Sequence, residues 1–247
     1  MTAAFFRMLA HDAAARYPRH DRFARHFAYG KLTRDPAFEY LLSRGLIARG
    51  ARVLDLGSGQ GVLASMLEAA REREAKGEWP RDWAPAPNPA AIRGVELTER
   101  DVERARHANP AGAEFVRGDI RVTAFGAADA VVILDVLHYI DFDAQRDVLR
   151  RVRESLAAGG VLLLRVGDAS ASLRFRITLA VDRIVMRLRG HRLARLYCKP
   201  RAEWIRQLEE LGFVVEAIPM STGTPFANVL LRARYDGSAP TAAGESR

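Results

Sequence analysis

At 247 residues and 49% hydrophobic content, the chain is long enough to bury a full α/β core as one decorated domain. Its net charge of +8 comes almost wholly from arginine, because lysine occurs only at Lys31, Lys76 and Lys199; with abundant alanine, this composition reads as the bias of a GC-rich genome and points only modestly to acidic partners. No run is long and apolar enough to cross a bilayer, the first residues lack the apolar core of a secretion signal, and the single Cys198 excludes an intrachain disulfide or a cysteine-based zinc site, so a cytoplasmic protein is expected.

Residues 1–50 are expected to form a helical lid or substrate cover, with Phe5, Phe6, Met8, Leu9, Phe23, Phe27, Tyr29 and Phe38 set among basic residues. From residue 51 strands and helices alternate, which predicts a doubly wound α/β domain over 51–235 with a mostly parallel sheet. Strands are predicted near 51–56, 92–96, 113–117, 130–135, 161–166, 213–219 and 227–234, and helices over 61–76, 98–108, 143–157 and 200–211. The proline-rich stretch 77–89 reads as a surface loop. Around 170–195, Leu173, Ile177, Ala180, Val181, Ile184 and Leu188 share one helical face and arginines cover the remainder, which predicts an inserted amphipathic cationic helix. Residues 236–247 are small and polar and are expected to be disordered.

The run from Val53 to Gly61 carries most of the functional information. A short apolar strand ends at Asp55-Leu56, three alternate glycines follow at Gly57, Gly59 and Gly61, and helical spacing resumes at Val62. Glycines at every second position let the backbone turn tightly and approach a ligand, and the helix start offers unpaired N–H groups to an anion. A phosphate-cradling loop would end in Gly-Lys-Ser or Gly-Lys-Thr, and the dinucleotide fingerprint would place its third glycine where Val62 stands. The pattern Asp-x-Gly-x-Gly-x-Gly resembles instead motif I of the class I S-adenosylmethionine (SAM) methyltransferases. That resemblance implies a seven-stranded Rossmann-like fold and SAM as cofactor. It places Gly57, Ser58, Gly59 and Gly61 against the methionine end of SAM and Asp55 near its amino group.

Further along, Glu96 closes the strand Ile92 to Leu97, where one carboxylate can accept from both hydroxyls of a ribose, with Leu97 beside it. Phe115-Val116-Arg117-Gly118-Asp119-Ile120 resembles the family's adenine-binding segment, which implies that Asp119 accepts from the adenine amino group and Ile120 covers the ring. The apolar run Val131 to Leu134 ends in Asp135-Val136-Leu137-His138, the position of motif IV, which adds Asp135 to the implied cofactor residues. Methyltransferases acting on exocyclic amines carry Asn-Pro-Pro-Tyr or Asp-Pro-Pro-Tyr here, and cytosine C5 methylation needs a nearby cysteine, so neither chemistry is expected. His138 is the candidate catalytic residue: a base for a phenol or other hydroxyl, or a side chain that only lines the pocket. Asp141 and Asp143 read as helix-start residues, and no metal site is expected. Leu156 to Leu164 reads as a glycine-containing helix end followed by a buried strand, matching motif V.

Methyl transfer to a small aromatic or polyketide-like acceptor, at oxygen or carbon, is the function expected. Segments 22–32 and 219–231 resemble, less specifically, methyltransferases of aryl-polyene and related pigment pathways, with Ser221 to Pro225 bordering the substrate mouth. An acidic acyl-carrier protein or a peripheral membrane contact through 173–195 is the expected partner class, and nucleic acid is not expected. The alternatives are an RNA methyltransferase and a SAM-binding partner protein without turnover.

Overall fold

The computed structural model describes residues 2–109, 111–169, 196–220 and 228–237. The expected cationic helix over 170–195, the Ser221 to Pro225 segment and all of the tail beyond Gly237 lie outside the described residues. In chain order the elements are α1 (Thr2–Ala15), α2 (Arg22–Arg34), α3 (Pro36–Ser43), β1 (Arg52–Leu56), α4 (Val62–Ala75), β2 (Ala91–Glu96), α5 (Glu99–Ala108), β3 (Glu114–Arg117), β4 (Ala128–Leu134), a 3-10 turn (Leu137–Tyr139), α6 (Phe142–Ser155), β5 (Leu156–Gly167), α7 (Arg201–Glu210), β6 (Phe213–Pro219) and β7 (Asn228–Tyr235). The seven strands follow the order β3-β2-β1-β4-β5-β7-β6. β1 pairs in parallel with β2 and with β4, β2 pairs in parallel with β3, and β7 runs antiparallel to both β5 and β6. This is the doubly wound, mostly parallel sheet expected from the alternation of elements.

The chain divides into two compact units, residues 1–124 with 130–132 and residues 125–129 with 133–247. In the first, α1 and α2 are tied to the helices that follow the glycine loop. Arg16 pairs with Glu72 at 2.8 Å and Arg73 with Asp12 at 2.5 Å, joining α1 to α4, and Arg104 of α5 reaches Asp21, the N-cap of α2, at 2.7 Å. The proline-rich stretch is more than a surface loop. Its Trp79 and Trp83 meet Phe5 of α1 edge-on at 5.6 and 5.5 Å, Trp79 Nε1 donates to the Ala84 carbonyl, and Trp83 is buried. Short-range composition points to a loop there, but two indoles outweigh the prolines by offering a large apolar area to α1.

In the second unit Asp141 caps α6 by accepting from the Ala144 N–H at 2.8 Å, as its place before the helix predicts. The predicted helix end at 157 needs correction. α6 stops at Ser155 and β5 begins at Leu156, so Ala157, Ala158, Gly159 and Gly160 belong to the strand, with Gly159 at φ 79°. Gln145 of α6 is fully buried and donates to the carbonyls of Leu137, Ile140 and Tyr197, which fixes the turn carrying His138.

The aromatic anchoring yields a stability prediction. Trp83→Ala should lower the unfolding free energy by roughly 3–5 kcal/mol, the span for truncating a buried large aromatic, whereas Val214→Ala on exposed β6 should change it by less than about 0.5 kcal/mol. Urea denaturation checks both; equal effects would show that the tryptophan cluster carries no packing energy.

Candidate functional site

The first unit assembles the glycine loop and the β2 end into one cradle. Gly57, Gly59 and Gly61 all take positive φ, at 74°, 54° and 78°. At Gly61 the reason is crowding as well as φ, because an added Cβ would lie 2.9 Å from both Ala105 and Phe115. Gly59 differs: a Cβ there would meet nothing within 4 Å, so the loop leaves open space at its apex.

Three sets of hydrogen bonds hold that apex. The Gly57 and Ser58 N–H groups both donate to the Val95 carbonyl of β2, at 2.8 and 3.2 Å. The Gly59 N–H donates to Glu96 Oε2 at 2.9 Å, while Glu96 Oε1 accepts from the Thr98 N–H at 3.0 Å. From the opposite side, Tyr17 donates its hydroxyl hydrogen to the Gln60 carbonyl at 2.9 Å, and the Gln60 side-chain amide donates to the Ala24 carbonyl at 2.7 Å. Burial pushes the Tyr17 phenol up to about 12, so it remains a donor throughout the working pH range. Sequence reasoning missed Tyr17 and Gln60 because neither belongs to a local pattern; their roles depend on where α1 and α2 pack.

Asp55 lies at the carboxyl end of β1, in register with Gly94 of β2 and Val132 of β4. Burial, reinforced by the negative Glu96 carboxylate, raises its pKa to about 7. Ser58 Oγ is also buried and has no hydrogen-bond partner among the described residues. A buried polar atom left unpaired and a carboxyl held out of its charged form both fit a ligand that brings a cation and polar groups. Leu97, next to Glu96, is 56% exposed, an apolar surface open beside a polar cradle. The adenine-segment residues fare differently. Ile120 is buried, while Asp119 is gripped by the Arg121 guanidinium and also accepts from the Arg121 N–H at 2.9 Å, an arrangement that lowers its pKa.

Asp135 and His138 lie together in the second unit. Asp135 has φ 61°, in the left-handed region that costs a non-glycine residue on the order of 1 kcal/mol or more. It is held there by Arg165 of β5, whose guanidinium is almost fully buried and grips the carboxylate through both Nε and a terminal nitrogen. Arg165 is the third residue missed from sequence; inside the apolar run 161–166 it carries no signal until its partner is placed. Burial and the positive Arg165 together outweigh Asp135 and lower the His138 pKa from the near-neutral value of an ordinary imidazole to about 4. The ring is therefore neutral at pH 7 and a weak base in this setting. Among the described residues no group of three or more His, Cys, Asp or Glu side chains is placed to hold a metal ion.

Comparison with known proteins gives the family and the fold. A family model described as a methyltransferase domain matches residues 22–218. No curated protein matches the chain. Among solved structures, an O-methyltransferase family protein from Burkholderia thailandensis is 21% identical, with a TM-score of 0.61 over 94% of this chain and 63% of that one. Magnesium protoporphyrin IX methyltransferase from Synechocystis PCC 6803 is 20% identical, with a TM-score of 0.57 over 87% of this chain and 88% of its own. The mitomycin 7-O-methyltransferase is 22% identical, with a TM-score of 0.56 over 87% and 58%. At these identities the likeness is one of fold, and the chain spans less than two thirds of the first and third of these proteins.

The buried carboxyl gives a pH prediction. Because the folded chain holds the Asp55 proton up to about pH 7 while the unfolded chain releases it near 3.8, Asp55 contributes stability at low pH that is lost as pH rises through this window. His138 acts with the opposite sign between about 4 and 6.5, so the readout is the difference between wild type and Asp55→Asn. The ligand-free variant should gain stability relative to wild type as pH climbs from 4 to 8 in urea titrations. A difference that stays flat across that range would mean Asp55 ionises normally.

Proposed function

Because the chain belongs to the class I SAM-dependent methyltransferases, as the family match over residues 22–218 shows, we propose that it transfers the methyl group of SAM to a small aromatic or polyketide-like acceptor, at oxygen or carbon. The observation that carries donor binding is the Gly59–Glu96 bond at 2.9 Å, which sets an open glycine apex beside a carboxylate at a strand end. An ionised carboxylate has about four acceptor sites, so with two used by N–H groups Glu96 retains capacity for a ribose diol. Asp55 ionises fully once an ammonium group replaces the water it has lost, and the Ser58 hydroxyl gains a polar partner. Leu97 and Ile120 offer apolar contact to a purine, and Asp119 accepts from its amino group only by sharing a carboxylate already bound to Arg121.

SAM supplies an activated sulfonium methyl when bound. The protein's remaining task is alignment and water exclusion. Asp135 and Arg165 fix the backbone at the end of β4, and Gln145 fixes the turn that follows, so that His138 is presented in one orientation. For a hydroxyl acceptor His138 takes the proton, and its low pKa matches an acidic phenol better than an aliphatic alcohol. The acceptor class rests on Asp135-Val136-Leu137-His138, which lacks the proline pair that receives an exocyclic amine. Two of the solved structures similar in fold are named as an O-methyltransferase family protein and a 7-O-methyltransferase. Residues 173–195 remain the proposed contact for an acidic carrier protein or an anionic membrane.

Incubation with methyl-labelled SAM, a panel of acidic phenols and β-dicarbonyl compounds, and total RNA tests this reading. Label should enter the small organic products and not RNA. With a responsive phenol, His138→Asn should lower turnover roughly 10²–10⁴-fold while SAM affinity stays unchanged. Robust RNA labelling would replace the acceptor assignment, and a fully active His138→Asn would leave alignment as the source of catalysis.

A further inference from the structure

The α1 and α2 helices gather positive charge that the donor cradle does not use. Arg22, Arg25, His26 and Tyr29 recur at helical spacing on one face of α2, away from the buried face formed by Ala24, Ala28 and Leu32. With His11 of α1 and Arg19 of the connecting segment they line a cavity of about 350 Å³, and among the described residues no acidic side chain lines it. The neighbouring acids are already engaged. Asp12, which lies 4.0 Å from the His11 ring, is held by Arg73 at 2.5 Å, and Asp21 accepts from Arg104 and from the Ala24 N–H. Arg16, Arg73 and Arg104 each have a carboxylate, whereas Arg19, Arg22 and Arg25 have no ion pair among the described residues.

Arg19, Arg22 and Arg25 line one concave space with no carboxylate paired to them among the described residues, and a guanidinium presents a planar fork of donors that matches a tetrahedral oxyanion. Tyr29, 39% exposed, adds a hydroxyl donor and an aromatic wall. In the sequence these arginines look dispersed, but the helix pitch and the turn between α1 and α2 bring them to one opening. We propose that this cavity binds a phosphoryl group, either as free phosphate or as the phosphate end of a small organic ligand whose body rests against Tyr29. None of the lining residues belongs to the glycine loop or to the set assigned to donor binding, so the proposal stands or falls independently of the acceptor reading.

Calorimetry on the full chain at fixed ionic strength tests it with inorganic phosphate, phenyl phosphate and phenol. Phosphate and phenyl phosphate should bind saturably at one site, and phenol should not bind. Arg22→Gln/Arg25→Gln should weaken both phosphates at least tenfold and leave SAM affinity within twofold of wild type; Arg19→Gln, placed outside the helices, serves the same purpose if the double variant folds poorly. Equal affinities for the two phosphates identify a free-anion site, and tighter phenyl phosphate identifies a site for the phosphate end of a larger ligand. Heat that matched chloride reproduces, or phosphate binding that survives these substitutions, would overturn the proposal.

Discussion

The hydrogen bond from the Gly59 N–H to the Glu96 carboxylate is the contact on which the rest of the first unit depends. A loop with three glycines has little stiffness of its own, because each glycine carries extra conformational freedom that folding must remove. Glu96 and the Val95 carbonyl restrain it from β2, while Tyr17 and Gln60 restrain it through α1 and α2. The loop is thus fixed from two directions while its apex stays open. The same carboxylate helps keep the buried Asp55 protonated near neutrality, so geometry and electrostatics of the cradle share one residue.

The second unit solves a comparable problem with charge. Arg165 is buried in β5 and would be costly there without Asp135, and Asp135 in turn sits in a backbone region that asparagine and aspartate tolerate better than most residues. Breaking such a pair by removing one partner typically costs about 3–5 kcal/mol, which makes it a strong constraint on the chain that leads to His138. The histidine pays for this order with its basicity, since the burial that fixes the ring also lowers its pKa to about 4.

Legibility in the sequence followed the range of the interaction. The strands, the glycine loop, Glu96 and the cap Asp141 were readable because each depends on neighbours within a few residues: alternation, positive φ, a strand-end carboxylate, a cap three residues before its N–H partner. Tyr17, Gln60 and Arg165 were not, because their partners lie 30 or more residues away and only packing brings them together. The Trp79 and Trp83 cluster was hidden by prolines that signal a loop regardless of what the loop packs on. The Asp119–Arg121 grip was hidden for another reason, since adjacency in sequence does not reveal whether a side chain folds back on its neighbour.

The central claim, that Glu96 both restrains the glycine loop and receives the donor's ribose, is tested most directly by a double cycle in calorimetry. S-adenosylhomocysteine and its 2′,3′-dideoxy analogue would be titrated into wild type and Glu96→Ala. Loss of the hydroxyls should weaken binding to wild type by roughly tenfold or more and cost little in the variant, leaving a coupling energy of about 1 kcal/mol or greater. An equal penalty in both proteins, with the variant folded, would contradict the claim and move the ribose contact to another side chain.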